Sequence, residues 1–382
     1  MLRRSHKKSR GGCLECFTSE APPTTSGASS RSGSPGNLKG PDVTPISDHS
    51  PLTPSSLYNA ELSQLQGDDS RHNRSLDEPL NFNHLELLAH LTIDKNMFNL
   101  GVGLDDYYAS LALGLKTSLK WPYLMHQILA YAARHLAFIH PEQSEFYLQQ
   151  AVTLQTRAVS LFTAIPLEVD QSNCMPILFF SSVLGHHLLA DTLGKRDPSG
   201  VDGFVDQFVQ CAQTYKGVHS IAISAWPLLM ESELAPILTR SANFTSREPR
   251  GDDCQCVNEL VDCTTELCED DKKACREAIK YLQVGFDAAF EEEPRDGPPN
   301  RYQMISEWAM LVPPEFTSLL AAKKPEALVI LTYYAALLHC GKHLWQVGDA
   351  GTYVIGIIGD YLGAQWDRWL EYPRQTIARS LE

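Results

Sequence analysis

The sequence of this 382-residue chain predicts an all-α fold, in which a large helical domain follows a segment without regular structure. Three observations support this prediction. From about Asn81 onward, apolar side chains recur every three or four residues, which is the spacing of one face of an α-helix. No window shows the sustained period-two alternation of a half-buried strand. Gly and Pro turn signals separate segments of helix length.

Five apolar stripes define the predicted helices in chain order. A break at His140-Pro141 separates the first two, and Asn173 is expected to cap the third helix, with Pro176 in its first turn. The first two stripes are Leu124, Ile128, Tyr131, His135 and Phe138, and then Tyr147, Ala151, Leu154, Ala158 and Leu161. The others are Phe179, Val183 and His187; Ala327, Ile330, Tyr334 and Leu337; and Ile355, Ile358, Leu362 and Trp366.

Composition divides the chain into three segments. Residues 1–16 are basic and contain two cysteines. Of the 40 residues from Phe17 to Ser56, 26 are Pro, Gly, Ser or Thr, so this stretch cannot bury enough apolar surface to offset its ordering entropy. We therefore expect a disordered linker over residues 17–80 and the helical domain over residues 81–382.

Charge is distributed unevenly between these segments. Residues 1–80 hold nine basic and nine acidic side chains, so the whole net charge of −14 belongs to residues 81–382. An acidic body repels a phosphate backbone. The first ten residues instead hold five cations and no carboxylate. Any contact with DNA phosphates is expected from these cations, which are Arg3, Arg4, Lys7, Lys8 and Arg10.

The sequence predicts neither export nor a membrane span. The longest apolar run, about Ala327 to Leu338, is shorter than the ~20 residues needed to cross a bilayer. The basic N-terminus has no apolar stretch behind it, unlike a secretory signal. We therefore expect the ten cysteines to be reduced thiols or metal ligands.

Five cysteines lie close together in an acidic stretch, with the spacing C-x-C-x6-C-x4-C-x6-C. They are Cys254, Cys256, Cys263, Cys268 and Cys275. Closely spaced thiolates can hold zinc. Alternatively, they are small hydrophobic residues on two helical faces, and we favour this interpretation. The two faces would be Cys256, Leu260, Cys263 and Leu267, and then Cys268, Cys275, Ile279 and Leu282.

Histidines could also form a metal or acid–base site. The neighbours His186 and His187 point about 100° apart on a helix, so they cannot easily share a metal. His126, His135 and His140 lack the spacing of one helix face at one-turn intervals. The sequence contains no H-E-x-x-H, G-x-S-x-G, phosphate-binding or dinucleotide motif. We interpret these histidines as core or surface residues and predict no catalytic residue and no enzyme activity.

The string Arg3-Arg4-Ser-His-Lys7-Lys8-Ser-Arg10-Gly-Gly-Cys13-Leu-Glu-Cys16 resembles the opening of the binuclear zinc cluster of fungal transcription factors. In that family six cysteines hold two zinc ions, and a short basic helix between the second and third cysteines enters the major groove. The resemblance implies that zinc is the cofactor of the complete module. It also implies that Cys13 and Cys16 are metal ligands and that the preceding cations contact DNA phosphates.

The motif is incomplete in this chain. No cysteine occurs between Cys16 and Cys174, and two thiolates alone cannot close a tetrahedral zinc site. Cys16-Phe-Thr-Ser resembles the residues that follow the sixth cysteine in the family. We hypothesise that the middle of the module is missing, through exon loss, alternative splicing or a gene-model error. An unstructured basic tail is the alternative, and either way we expect little zinc and weak DNA binding.

Spaced apolar and aromatic positions from about residue 80 to residue 375 carry a second resemblance. They are Trp121 to His126, Leu129, Ala133, His135, Leu136, Tyr147, Ala151, Leu161, Phe162, Asn173, Cys174, Phe179 to Ser181, Trp308, Pro313 to Phe316, Pro325 to Leu328, Tyr333, Tyr334, Leu337, Leu338, Trp345, Leu362, Trp366, Trp369, Tyr372 and Pro373. This pattern is similar to the regulatory domain of fungal zinc-cluster factors in the sterol-uptake-control branch. The cysteine-rich stretch at 250–275 departs from it.

The resemblance implies a nuclear transcription factor that regulates RNA polymerase II transcription of sterol or secondary-metabolite biosynthetic genes. Its partners would be DNA, a second copy or a full-length paralogue, and a sterol or other apolar ligand in a pocket between helices. The aromatic-rich stretch from Trp345 to Trp369 is the preferred lining, although plain core packing is the simpler explanation. Two alternatives stay open: a truncated regulatory partner without DNA binding, and a helical protein that binds an apolar small molecule.

Overall fold

The computed structural model describes residues 80–94, 96–98, 104–165, 168–291 and 301–379. Within these ranges the fold is all-α, as predicted, with fifteen α-helices, two short 3-10 helices and no strand. The described helices belong to a unit that spans Pro79–Glu382. The predicted zinc module at 1–16 and all but the last residue of the predicted linker lie outside the described residues.

The fifteen helices of the described residues are numbered in chain order. The first five are α1 (Phe82–Ile93), α2 (Leu104–Ser118), α3 (Pro122–Ile139), α4 (Ser144–Thr163) and α5 (Cys174–Gly194). The next five are α6 (Val201–Ser224), α7 (Trp226–Met230), α8 (Ala235–Thr245), α9 (Gln255–Cys263) and α10 (Glu269–Ala289). The last five are α11 (Gln303–Leu311), α12 (Pro314–Ala321), α13 (Pro325–Cys340), α14 (Ala350–Leu362) and α15 (Asp367–Arg379).

Helix α3 is the centre of the first core, where α1, α4 and α5 pack around it. Pro122 begins the helix, at a position where an N–H would have no intrahelical partner. The Tyr123 ring is buried and meets Phe162 and Phe180 edge-on, with ring centroids 5.4 and 5.3 Å apart. Aromatic packing of this kind fixes how α3, α4 and α5 lie against one another.

The stripes predicted on α3 and α4 are buried except near their ends. On α3 the first four positions are buried, but Phe138 in the last turn is 50% exposed. Its ring centroid lies 6.0 Å from that of Trp345. On α4 the first four positions are buried and Leu161 is half-buried. The break at Pro141 is confirmed, since this proline begins a 3-10 turn between the two helices.

Helix α5 begins where predicted, but the Asn173 side chain does not cap it. Its Oδ1 accepts the Asp170 N–H at 2.8 Å, and its Nδ2 donates to the Glu168 carbonyl at 2.7 Å. The side chain therefore stabilises the turn before the helix. Pro176 lies in the first turn as predicted, where the missing N–H costs no helical hydrogen bond.

Among the described residues, α5 is also the helix whose length and composition would allow it to cross a membrane. Its best window has a mean hydropathy of 1.2, and 61% of that window is buried inside the fold. The sequence analysis considered only the apolar run at Ala327 to Leu338, which belongs to the shorter α13. Core helices meet the same criteria, so α5 is weak support for a membrane span, and it packs between α3 and α6.

Helix α13 is the centre of the second core, and every residue from Glu326 to His339 is buried. Trp308 of α11 stacks on Tyr334 of α13, with ring centroids 4.5 Å apart. The Trp308 indole N–H donates to the Ala278 carbonyl at 2.9 Å, and the Tyr334 hydroxyl donates to the Ile305 carbonyl at 2.6 Å. Both aromatic side chains are therefore buried with their polar atoms satisfied.

The fourth predicted stripe, on α13, is fully buried, whereas the fifth is interrupted. Helix α14 ends at Leu362 because Gly363 adopts a φ of 75°, a left-handed conformation that glycine tolerates without strain. Trp366 therefore lies in a separate 3-10 turn, Ala364–Trp366, and is only partly buried against the second core. The prediction of one continuous stripe through Trp366 is wrong.

Gly351 and Gly356 form a matched pair that tests how closely α13 and α14 pack. A Cβ at Gly351 would overlap the Ala335 carbonyl oxygen and lie 2.9 Å from the His339 nitrogen, whereas a Cβ at Gly356 would meet nothing within 4 Å. We expect Gly351→Ala to lower the free energy of unfolding by about 1–3 kcal/mol through overpacking. Gly356→Ala should raise it by up to about 1 kcal/mol through helix propensity. Urea unfolding of the full chain measures both, and equal effects would contradict this packing.

Candidate functional site

The predicted zinc ligands Cys13 and Cys16 lie outside the described residues. The predicted phosphate-binding cations also lie there, namely Arg3, Arg4, Lys7, Lys8 and Arg10. The described residues therefore belong to the helical body, and the candidate site below is built from that body.

In the cysteine-rich stretch, helix α9 buries a face formed by Val257, Leu260 and Val261. Cys256 is only half-buried and Cys263 is exposed, because both lie at the margins of that face. The prediction that these two cysteines share a buried helical face with Leu260 is therefore wrong. Leu267, the fourth residue of the predicted face, is buried but lies beyond the end of the helix.

The second predicted cysteine face, on α10, is partly correct. Cys275 is buried, as are Ile279 and Leu282, and burial raises the pKa of the Cys275 thiol to about 12. Cys268 is exposed instead, and its Sγ caps the helix by accepting the Asp271 N–H at 3.4 Å. Among the described residues, these cysteines belong to no group of three ligand atoms close enough for one metal ion.

The histidines singled out by the sequence lie in different surroundings. His126 and His186 each place Nδ1 2.8 Å from a carbonyl oxygen one turn earlier in their own helix, so Nδ1–H donates there. His140 lies 3.3 Å from a carboxylate oxygen of Glu142. His187 is 2% exposed and contacts Gln127, whereas its neighbour His186 contacts the Ser182 carbonyl.

His135 contacts a second histidine, His90, which lies 45 residues earlier in the sequence. Across the contact between α1 and α3, His90 Nε2 lies 3.0 Å from His135 Nδ1. Asp94 follows His90 by one turn, and ligand atoms of the three side chains lie within 4.8 Å of one another. We term His90, Asp94 and His135 the histidine site. The i, i+4 spacing of His90 and Asp94 was visible in the sequence, but nothing local connected it with His135.

The local sequence explains how α1 presents this site. Asn81 caps the helix, and Leu87 and Leu91 are fully buried, which fixes the face that α1 turns toward α3. Asp94 is the C-cap residue in an extended conformation, and its Oδ1 accepts the Asn96 N–H at 2.8 Å. This hydrogen bond orients the carboxylate at the end of the helix.

Trp345 covers the His135 side of the site. The two ring centroids are 4.7 Å apart, and the Trp345 indole N–H donates to the Met97 carbonyl at 3.0 Å. The guanidinium of Arg134 lies 5.8 Å from the Trp345 ring centroid, a cation–π contact. This packing leaves His135 only 3% exposed, whereas His90 and Asp94 are half-buried.

Both histidines of the site are neutral near pH 7. Burial lowers the pKa of His135 to about 4, and the neighbouring His90 and Arg134 act in the same direction against the opposing effect of Asp94. Burial is also the main cause of a lowered pKa at His90. A neutral imidazole has one N–H donor and one nitrogen lone pair, so each ring can still accept a hydrogen bond or bind a metal ion.

A second polar group lies between α3 and α5. Arg134 Nε donates to Asp191 at 2.6 Å, and Asp191 lies 3.7 Å from His187 Nε2. On its other side, His187 Nδ1 is 3.3 Å from Gln127 Nε2. Burial lowers the pKa of His187 to about 4, with Asp191 raising it and Arg134 lowering it. This histidine is also neutral at pH 7.

Two buried amide oxygens near α3 have no hydrogen-bond partner among the described residues. They are Oε1 of Gln127 and Oε1 of Gln346. Gln346 Nε2 donates to the Met97 carbonyl and to the Tyr131 hydroxyl, both at 3.0 Å. Buried polar atoms of this kind are usually satisfied by ordered water or by a ligand.

The stretch from Trp345 to Trp369 does not form one lining. Trp345 packs against the first core beside His135, whereas Trp366 and Trp369 pack against the second core around α13. The interpretation of these residues as core packing agrees with their contacts. The other interpretation, in which this stretch lines one ligand pocket, does not agree with them, because the aromatic side chains pack against different cores.

No protein-family model matches this chain, and a search of curated proteins gave no match.

We expect the free energy of unfolding to fall as the pH drops from about 6.5 to about 4, partly because of His187. The pKa of this side chain is about 4 in the folded state and about 6.5 when unfolded, so the unfolded chain binds more protons across this window. At about 1.4 kcal/mol per pKa unit, its share is about 3 kcal/mol.

Urea unfolding at a series of pH values measures this dependence. His187→Gln should make the dependence less steep than in the wild type. A pH dependence that is identical in the wild type and in His187→Gln would contradict the assignment.

Proposed function

We propose that this chain is a regulatory protein of the fungal zinc-cluster transcription-factor type, with residues 81–382 as its regulatory domain. The proposal rests on one observation: the basic, cysteine-containing residues and the acidic helical body occupy separate parts of the chain. The first sixteen residues combine five cations with a C-x2-C pair, and the acidic body has the all-α architecture that such a regulatory domain requires. We further propose that the protein acts in the nucleus on transcription by RNA polymerase II, and that it is not an enzyme.

Ion pairing supports the assignment of DNA contacts to the N-terminus. Several cations of the body lie within 4.0 Å of a carboxylate, which reduces the positive charge they present to a phosphate backbone. The pairs are Arg134–Asp191, Arg196–Asp349, Arg276–Asp262, Lys280–Glu248, Lys323–Asp202 and Arg374–Asp367. The first ten residues contain no carboxylate that could pair in this way.

Zinc belongs to the complete family module, and the N-terminal residues of this chain do not fit it. Cys13 and Cys16 supply two thiolates, and no other cysteine occurs before Cys174. We therefore derive no DNA-reading step through zinc for this chain. We propose that sequence-specific binding, where it occurs, depends on a full-length paralogue or on the missing middle of the module. The proposed targets are sterol or secondary-metabolite biosynthetic genes.

Binding of a small apolar molecule with a polar group is the second candidate function. It is favoured by the amide oxygens of Gln127 and Gln346, which are buried and have no hydrogen-bond partner among the described residues. A hydroxyl group on such a ligand could donate to either oxygen. In the proposed regulator this ligand would be the signal, and in the alternative its binding would be the whole function.

We expect the full chain to bind duplex DNA weakly and in a salt-dependent manner. Five phosphate contacts give a slope of about −4.5 for the logarithm of the association constant against the logarithm of the salt concentration. Fluorescence anisotropy at several salt concentrations measures this slope. Replacing the N-terminal cations by Gln should abolish binding; the five positions are Arg3, Arg4, Lys7, Lys8 and Arg10.

A matched control changes five cations that are paired with carboxylates on the body. They are Arg196, Arg276, Lys280, Lys323 and Arg374. Their replacement by Gln should leave both the affinity and the slope unchanged. A larger effect of the control than of the N-terminal variant would contradict the proposed location of DNA contacts. Tight, zinc-dependent and sequence-selective binding would contradict the claim that the module is incomplete.

Two further observations separate the candidate functions. A cysteine-rich reading frame in the genomic DNA between the codons for Cys16 and Phe17 would support the regulator, and its absence would favour an incidental basic tail. Mass spectrometry of an organic extract of the purified chain would detect a bound lipid. A bound lipid together with no salt-dependent DNA binding would favour the second candidate.

A further inference from the structure

We propose that His90, Asp94 and His135 bind one divalent transition-metal ion of the zinc class, with water at a fourth position. This inference goes beyond the proposed function, because the site lies in the helical body and uses neither of the N-terminal cysteines. It rests on the convergence of two imidazoles and one carboxylate from two helices, with ligand atoms within 4.8 Å of one another.

The spacing of the ligand atoms suits a tetrahedral ion. Zinc binds histidine nitrogen at about 2.0–2.1 Å, which places two such nitrogens about 3.3 Å apart at a tetrahedral angle. His90 Nε2 and His135 Nδ1 are 3.0 Å apart. A movement of a few tenths of an ångström therefore opens the pair to the ion, and a ligand atom of Asp94 lies within 4.8 Å of a nitrogen of each ring.

The contact between the two rings also suits a metal ion. His90 Nε2 and His135 Nδ1 face each other at 3.0 Å, so the nitrogens that would bind the ion are already directed at one point. Without metal, one ring donates its N–H to the other. With metal, that ring carries its single proton on the nitrogen that faces away from the ion, and both facing nitrogens offer lone pairs. The Asp94 carboxylate offsets half of the charge of a divalent ion.

The ligand set indicates the class of ion. Two imidazoles with one carboxylate suit zinc and neighbouring first-row metals, whereas calcium and magnesium prefer sites built from oxygen ligands. Three protein ligands with one open position are typical of zinc sites that keep a bound water. His90 and Asp94 are half-buried, so the site is not fully enclosed by protein.

Neighbouring contacts hold the ligands in place before any ion binds. Trp345 packs on the His135 ring, and the Asn96 N–H holds one oxygen of the Asp94 carboxylate. Such outer contacts orient metal ligands and raise metal affinity. The bound ion would link α1 to α3, so metal binding should slow amide hydrogen exchange in α1, which buries only Leu87 and Leu91.

The experiment uses the purified full chain, stripped of metal with a chelator. Zinc is titrated in competition with a chromophoric chelator, and cobalt(II) serves as a spectroscopic probe. We expect one equivalent of metal per chain, with cobalt d–d bands of nitrogen and oxygen ligands and no thiolate charge-transfer band. His90→Gln and Asp94→Asn should each weaken zinc binding by at least about tenfold, in line with the 10–100-fold cost of lost outer contacts.

The control variant is His126→Gln, which changes a histidine on α3 that hydrogen-bonds within its own helix. It should bind zinc like the wild type, and so should a Cys13→Ser, Cys16→Ser double variant. The result for the double cysteine variant distinguishes this site from the N-terminal module. The metal-site proposal can therefore be wrong while the proposed regulatory function remains correct. Urea unfolding without metal checks that Asp94→Asn, at a half-exposed position, remains folded.

Three outcomes would overturn the metal site. They are no binding in competition with the chelator, equal binding by the wild type and both ligand variants, and a thiolate charge-transfer band at one equivalent of cobalt. The last result would place the ion on the cysteines.

Discussion

The packing of α1 on α3 through Leu87 and Leu91 is the contact on which the histidine site depends. These two leucines are fully buried, and together they fix the rotation of α1 about its axis. That rotation directs His90 and Asp94 toward His135, which comes from a helix enclosed by α1, α4 and α5. A different rotation of α1 would separate the two imidazoles, so the apolar contact positions the polar one.

The polar groups around α3 come at a cost in stability that an apolar interior would avoid. A buried histidine kept neutral and two amide oxygens without partners among the described residues are each less favourable than well-packed aliphatic side chains. Residues that break the rules of a hydrophobic core without a compensating contact are characteristic of functional positions. The second core also contains such an atom, since the Tyr215 hydroxyl has no hydrogen-bond partner among the described residues, although Trp308 and Tyr334 have their polar atoms satisfied.

Periodicity predicted which residues face inward on α3, α4 and α13, because a repeat of 3.6 residues is a local property of the chain. It failed where local chemistry ends a helix. Gly363 stops α14 before Trp366, and the Asn173 side chain stabilises a turn instead of capping α5. The histidine site could not be predicted in the same way, since His90 and His135 meet only through the packing of two helices. Cys256 and Cys263 were predicted to be buried, but the buried face of α9 is formed by Val257, Leu260 and Val261. A nine-residue helix has too few turns for periodicity to determine which face is buried.

The proposed metal site of the helical body is independent of the N-terminal module because the two use different donor atoms. A thiolate module such as the one that Cys13 and Cys16 resemble requires deprotonated sulfur, whereas the histidine site requires only neutral imidazole and a carboxylate. Removing the N-terminal thiols therefore leaves the ligands of the body unchanged. If the proposed regulator acts as the partner of a full-length protein, its helical body would still carry both the histidine site and the buried amide oxygens of Gln127 and Gln346.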